Sequence, residues 1–369
     1  MLQDLSLERF LIYPKDGNWD NWDWSAICGN PEASKIIKEA EGSGGCGLGF
    51  HPELGWMLLC SGQGAFVGWH QRGDLAKWTG ENPSPRKPWT GTIYADDHFS
   101  IGSAHTVCQD YTRSRNTTTD GFLGGTCAIV SDGCSASKDS DFGARFMTLC
   151  ALKEGSLNGI LPMEASRIAS GAETAGGILL KTFLDRECLN ATCLFAGVRK
   201  DGLVQVQAFG DGVIVVRRRD GSIETYEVDH GGIPAYPAYL LDPELAEQYK
   251  AEMTGKLKVK VTVDGKTVDV WDISCKKWPE FSFTVDPADT DLVVLMTDGA
   301  QSFQNMTGMA PVPVPLAEVV SHVLDFKSMT GSFLNRRLHA FETKECPKLG
   351  WRHYDDFGVA ALWMMEETK

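Results

Sequence analysis

No two cysteines in this chain stand at CxxC spacing, although 11 are present, at positions 28, 46, 60, 108, 127, 134, 150, 188, 193, 275 and 346. An odd number scattered singly argues against a disulfide framework and against a zinc site, and leaves reduced, mostly buried small hydrophobes. Also missing is any apolar run long enough to span a bilayer, and Met1 to Gly17 has neither the basic start nor the apolar core of a signal peptide. A soluble, cytoplasmic chain is the expectation. Positive charge is scarce: 35 Lys and Arg against 49 Asp and Glu leave a net charge of −14, which argues against a nucleic-acid surface and against adsorption to anionic membrane. A phosphorylated partner would have to be met by local positive charge or by metal. The glycine-rich run Gly42 to Gly49 (GSGGCGLG) lacks the Gly-Lys-Ser/Thr of a phosphate-cradling loop and reads as a flexible turn.

What the chain does have is apolar content of 43% over 369 residues, ample for a large core. It also has acidic groups at the ends of apolar strands. Cys127 to Val130 predicts a buried strand that stops at Asp132-Gly133, with a helix beginning near Asp139. Asp291 to Met296 (DLVVLM) is a second such run, closed by Thr297-Asp298-Gly299, and Asp355-Asp356 directly precede a third, Phe357 to Trp363 (FGVAALW). Asp-Gly is also an ordinary turn dipeptide, as at Asp264-Gly265 between the alternating strands Lys258 to Val263 and Lys266 to Trp271. Recurrence at strand ends is what shifts the reading. Hard cations such as Mg²⁺ or Mn²⁺ need oxygen ligands converging from several elements, and a glycine lets a backbone carbonyl come close to the same ion. A two-metal hydrolase fits the pattern.

The order of blocks then resembles the protein phosphatase 2C class of metal-dependent serine/threonine phosphatases: Gly102 to Asp110 (GSAHTVCQD), Ser131-Asp132-Gly133, two helices, Ala208 to Asp220 (AFGDGVIVVRRRD), Met296 to Phe303 (MTDGAQSF) and Tyr354 to Leu362 (YDDFGVAAL). The resemblance runs from about residue 95 to the end of the sequence. It implies an α/β fold of the α+β type, with two stacked antiparallel sheets flanked by helices and a binuclear site where sheet ends converge. Asp132 would bridge two Mg²⁺ or Mn²⁺ ions, Gly133 would add its carbonyl, and Asp298 and Asp355 would hold the other ion. Asp211 matches an aspartate implicated in a third, weaker metal site, and also reads as a plain Asp-Gly turn. Asp110 would belong to an acidic pair holding metal-bound water, with Gln109 where a glutamate often stands. His105 occupies the place of a phosphate-gripping arginine, and Cys134 that of a histidine proposed as general acid in some members. The implied substrate is phosphoserine or phosphothreonine on a protein partner, and a monomer is favoured. The alternatives are a non-catalytic phosphatase-like module that binds a phosphoprotein and, third, a metal-dependent phosphodiesterase.

The predicted helices are Phe142 to Lys153 and Met163 to Leu184, and Thr192 to Arg199 with Leu203 to Phe209 predict paired strands. Arg217 to Arg219 read either as a phosphopeptide patch or as a solvated hairpin tip. Cys346 to Arg352 (CPKLGWR) has the spacing of a thiolate phosphatase, but Glu345 disfavours a thiolate and Pro347 lacks an amide donor. The expected organisation is a tryptophan-rich, β-containing element at 1–94 and a phosphatase-like domain at 95–369. The first is marked by Trp19, Trp22, Trp24, Trp56, Trp69, Trp78 and Trp89, by predicted strands at Trp56 to Cys60 and Gly64 to Trp69, and by a linker at Asn82 to Pro88. Its tryptophans suit either a partner-binding surface or an aromatic core.

Overall fold

The computed structural model of the chain describes residues 46–51, 55–62, 65–71, 91–116, 125–157, 163–199, 202–253, 257–273 and 278–366. Two units divide the chain, Met1–Pro88 and Trp89–Lys369. In the first, β1 (Cys46–His51), β2 (Gly55–Gly62) and β3 (Ala65–Gln71) form an antiparallel meander. β2 and β3 cover the predicted pair of strands. β1 corrects the reading of the glycine-rich run as a turn: Cys46 to Gly49 pair with Cys60 to Met57, because ladder hydrogen bonds need only the backbone that glycine still offers. Trp19, Trp22, Trp24, Trp78, Trp89 and the linker Asn82 to Pro88 lie outside the described residues.

The second unit opens with β4 (Thr92–Ser100), β5 (Asp110–Arg115) and β6 (Cys127–Asp132), so that β4 starts before position 95. Two helices follow, α1 (Ser140–Leu157) and α2 (Ala165–Thr182), the latter broken at Gly177, whose φ of 37° is open to glycine. Then come β7 (Cys193–Val198), β8 (Val204–Phe209), β9 (Gly212–Arg218) and β10 (Ile223–Asp229). Helix α3 (Pro243–Met253) leads to the hairpin β11 (Lys258–Val263) and β12 (Lys266–Asp272), then β13 (Phe281–Val285) and β14 (Thr290–Met296). The chain closes with β15 (Phe303–Asn305), β16 (Val312–Pro313), α4 (Leu316–Val323), α5 (Phe333–Ala340), α6 (Cys346–Leu349), β17 (Trp351–His353) and β18 (Phe357–Met365).

Two antiparallel sheets carry the unit, one ordered β12-β11-β10-β9-β14-β18-β4 and the other β13-β8-β7-β6-β5. Their central strands carry unbroken apolar runs such as Cys127 to Val130 and Leu292 to Met296 because both faces are covered, unlike a sheet with one face in water. In β14, Val293 and Leu295 join the core between the sheets with Val130, Leu194 and Ile214, while Leu292, Val294 and Met296 turn outward onto Val320 and Leu338 of α4 and α5. β6 does the same on the other side: Ala128 and Val130 face inward, Cys127 and Ile129 face Met147 and Ile168 of α1 and α2. The result is the expected layering of helix, sheet, sheet and helix. Among the described residues no helix is long and apolar enough to cross a membrane.

Candidate active site

The strand ends converge through register. β5 and β6 pair antiparallel with Asp110 directly opposite Asp132, which sets two carboxylates side by side at one end of the five-stranded sheet. Burial and the charge of its neighbours raise each of them above the ordinary carboxylate value. Asp110 is 2% exposed and also accepts the Thr297 hydroxyl at 2.6 Å, whose oxygen in turn takes the Gly358 N–H at 3.0 Å. One threonine therefore ties the end of β5 to the ends of β14 and β18. Asp132 is fixed from its backbone: its N–H donates to the Thr192 hydroxyl at 3.0 Å and its carbonyl accepts the Thr192 N–H at 2.8 Å. Gly133 then passes so close to the start of α1 that a Cβ would lie 2.6 Å from the Ser140 carbonyl oxygen, and its N–H donates to the Gln109 carbonyl. No larger residue fits there.

Asp298 opens a 3₁₀ turn (Asp298–Gln301) at the end of β14, and Asp355 stands before β18, its N–H donated to the Ser302 hydroxyl at 3.1 Å. Burial, then the charges of Asp355 and Asp211, push Asp298 up to about 6. Asp132 is raised well above the carboxylate range by burial and by Asp110, Asp298 and Asp355; Asp110 is raised by burial and, against the Thr297 hydrogen bond, by Asp298 and Asp356. No lysine or arginine stands among the leading influences on these three groups. Asp211, on the turn into β9, reaches the cluster through its charge on Asp298 and is itself held by His230, whose backbone N–H and Nδ1 meet Oδ1 at 2.9 and 2.5 Å.

This set fits divalent cations by its donor chemistry: several half-buried or buried carboxylates at four strand ends, a glycine that admits a bare carbonyl and, among the described residues, no lysine or arginine paired with Asp110, Asp132 or Asp298. Among the described residues no three acidic, histidine or cysteine side chains are already closed on one point as a ligand set. Mutual repulsion opposes closer approach, and a divalent ion is the charge that would draw them together.

His105 sits in the loop between β4 and β5, 21% exposed, with Nδ1 2.9 Å from Asp356 Oδ2 and Nε2 3.5 Å from Asp355 Oδ1. Burial works to lower its pKa, but the hydrogen bond to Asp356 and the charges of Asp356 and Asp355 outweigh it and leave the imidazole above its ordinary value. Gln109 spends its side chain on the Ser140 hydroxyl, at 2.8 Å, which pins the start of α1. A cavity of about 280 Å³ opens beside these residues, lined by His105, Thr106, Val107, Gln109, Asp139 and Asp141.

Of the residues singled out in the sequence, Asp110 and Asp132 pair across β5 and β6, Asp298 lies within the charge influence of Asp355 and Asp211, and His105 stands beside Asp355. Others were missed there. Cys134 has no basic neighbour, as expected, yet hydrogen bonds from Tyr236, Ser137 and the Ala136 and Ser137 amides outweigh burial and lower its pKa. Tyr236 and His230 lie far from their partners in sequence and in segments without periodicity, so only the fold could have named them. The arginines of the β9–β10 turn do not reach the site. Arg217 forks onto Asp291, Arg218 onto Glu224, and Arg219 onto the Pro287 and Met364 carbonyls, at the start of β14 rather than its acidic end. Cys346 is buried, its thiol pushed up to about 12 by burial and then by Glu342 and Glu345, with Arg352 exposed on β17. That excludes a thiolate nucleophile at this cysteine.

Residues 101–341 match the family model described as Protein phosphatase 2C. The chain belongs to the protein phosphatase 2C family. Its fold is similar to that of Stp1, a serine/threonine phosphatase from Staphylococcus aureus, at 12% identity and a TM-score of 0.43 over 77% of this chain and 99% of that one. It is also similar to the S. agalactiae serine/threonine phosphatase (13% identity, TM-score 0.42, 74% and 100% covered) and to the Mycobacterium tuberculosis serine/threonine phosphatase PstP/Ppp (12%, 0.41, 74% and 99%). No curated protein matches the sequence.

Proposed function

We propose that this protein phosphatase 2C family member is a divalent-metal-dependent phosphoprotein phosphatase acting on phosphoserine or phosphothreonine. The observation that carries the reading is the mutual charge influence of Asp110, Asp132, Asp298 and Asp355, four carboxylates at strand ends with no lysine or arginine among the leading influences on the first three. Asp132, the Gly133 carbonyl, Asp298 and Asp355 are the groups that would hold two ions, Mg²⁺ or Mn²⁺, with Asp211 at a third, weaker position. Bound there, such ions supply an acidic water and offset the charge on phosphoryl oxygens. Asp110, rigid between Asp132 and Thr297, is positioned to take a hydrogen bond from the attacking water. His105, with Nδ1 2.9 Å from Asp356 Oδ2, would present Nε2 to a phosphoryl oxygen as a single donor when the ring is protonated, where an arginine would present a fork. The cavity at His105, Gln109 and Asp139 gives the flanking peptide a place to lie.

The test is turnover of p-nitrophenyl phosphate and of a phosphothreonine peptide with Mn²⁺, with EDTA, and after thiol alkylation. Turnover that needs the metal and ignores alkylation is expected. Activity that survives EDTA and dies on alkylation would overturn the reading. Metal-dependent binding of the phosphopeptide with no turnover would instead make the chain a phosphoprotein-binding module.

A further inference from the structure

Asp355 and Asp356 are adjacent in sequence but are used in different ways. Asp356 is 2% exposed, and its carboxylate bonds to the loop that joins β4 to β5. Oδ1 accepts the Gly102 N–H at 2.7 Å. Oδ2 accepts the Gln109 N–H at 2.5 Å and stands 2.9 Å from His105 Nδ1. One carboxylate thus holds the first and last turns of the loop and the histidine in its middle. The same residue organises its own neighbours: its N–H donates to Asp355 Oδ1 at 2.9 Å, and its carbonyl oxygen is so close to Gly299 that a Cβ there would lie at 1.7 Å. Gly102 is pressed against the same backbone, where a Cβ would lie 2.3 Å from the Asp355 carbonyl carbon. Three segments of the site, the His105 loop, the Asp298 turn and Asp355, therefore meet on this residue.

Resting on the phosphatase reading above, we propose that Asp356 is a positioning residue: it fixes His105 and the Gln109-Asp110 step against Asp355, so that the phosphate-side donor and the carboxylate beside Asp132 keep one spacing. A carboxylate that takes a backbone N–H on each oxygen is satisfied as an acceptor, whereas Asp355, with nearly half its side chain exposed, has room for an outside ligand.

The experiment is a double-mutant cycle on the full chain, Asp356→Asn, His105→Gln and both together. It is read as kcat/KM for p-nitrophenyl phosphate in saturating Mn²⁺ and, on the metal-free protein, as amide hydrogen exchange. Asp356→Asn keeps shape and one acceptor oxygen. It should cost about tenfold or more in kcat/KM in the wild-type background, and about threefold or less when His105 is already glutamine. It should also speed exchange at Gly102 or Gln109 while His105→Gln leaves both protected. Additive losses, or unchanged exchange at both amides, would overturn the proposal. If Asp356→Asn does not fold, the wild type decides: protected Gly102 and Gln109 amides support the role, and exchange at free-peptide rates sinks it. A wild type with no turnover but with the expected exchange pattern removes the phosphatase reading and leaves the tether standing.

Discussion

Glu345 and Asp298 are both partly enclosed carboxylates, and the protein moves them in opposite directions. Glu345 accepts both terminal nitrogens of the buried Arg337, one of them at 2.7 Å, and faces His322 Nδ1 at 3.0 Å; the Arg337 hydrogen bonds hold it down at about 2 against the effect of burial. Asp298 is driven up to about 6 by burial and by Asp355 and Asp211. A carboxylate that supports the fold arrives with its cation in the same chain, as Asp291 does with Arg217 and Glu224 with Arg218. Among the described residues the carboxylates at the ends of β5, β6 and β14 have no such lysine or arginine, and Asp355 before β18 has the His105 imidazole at 3.5 Å. Their missing counter-charge distinguishes a site that takes something up from a network that only braces helices.

The comparison is broken most severely at its acidic side. Asp132→Asn, Asp298→Asn and Asp355→Asn should each lower kcat on the order of a thousandfold, with thermal stability of the metal-free protein unchanged or raised because like charge is removed. Steady-state kinetics alongside thermal melts check both halves. Arg337→Met attacks the other side: it strips Glu345 of its arginine and removes one of the donors on the His322 carbonyl. A loss of about 2 kcal/mol in denaturant unfolding is expected, with kcat per folded molecule unchanged.

The pH dependence sharpens the contrast. Unfolded, Asp298 ionises near 3.8; folded, it keeps its proton to about 6, so between these values the folded state binds more protons and stability falls as pH rises. Glu345 has the opposite sign: its contribution is present above 4.5 and is lost as pH falls through about 2. Unfolding midpoints in EDTA from pH 3 to 7 should therefore show a decline across about 4 to 6 that Asp298→Asn removes and Arg337→Met does not. The smallest effect belongs to the plain turn. Asp264 sits at φ 48° and accepts the Ile223 N–H at 3.0 Å; asparagine keeps that acceptor and tolerates that backbone, so Asp264→Asn should shift stability by less than about 0.5 kcal/mol.

Much of this was legible in the sequence, for a physical reason. Strands buried on both faces write unbroken apolar runs, and a carboxylate that stops such a run is conspicuous, so Asp132, Asp298 and Asp355 could be named before any fold was known. The paired helices and the β11–β12 hairpin followed from periodicity and a turn dipeptide. What could not be read was which of two adjacent aspartates turns inward, since Asp355 and Asp356 differ only in what the β4–β5 loop brings to them from more than two hundred residues away. Cys134 with Tyr236, and Asp211 with His230, are pairings of the same kind. The β1 strand was hidden by its glycines, which carry no pattern even where their backbone pairs.

The central claim is that the acidic cluster is completed by divalent ions. Calorimetric titration of Mn²⁺ into the metal-free protein at pH 6, in buffers of different ionisation enthalpy, tests it most directly. The wild type should bind Mn²⁺ and release protons as it does so, because Asp298, pushed up to about 6, is partly protonated there and Asp110 and Asp132 are shifted in the same direction, and Asp132→Asn should lose most of that binding. Binding that is absent in the wild type, or unaltered in Asp132→Asn, would contradict it.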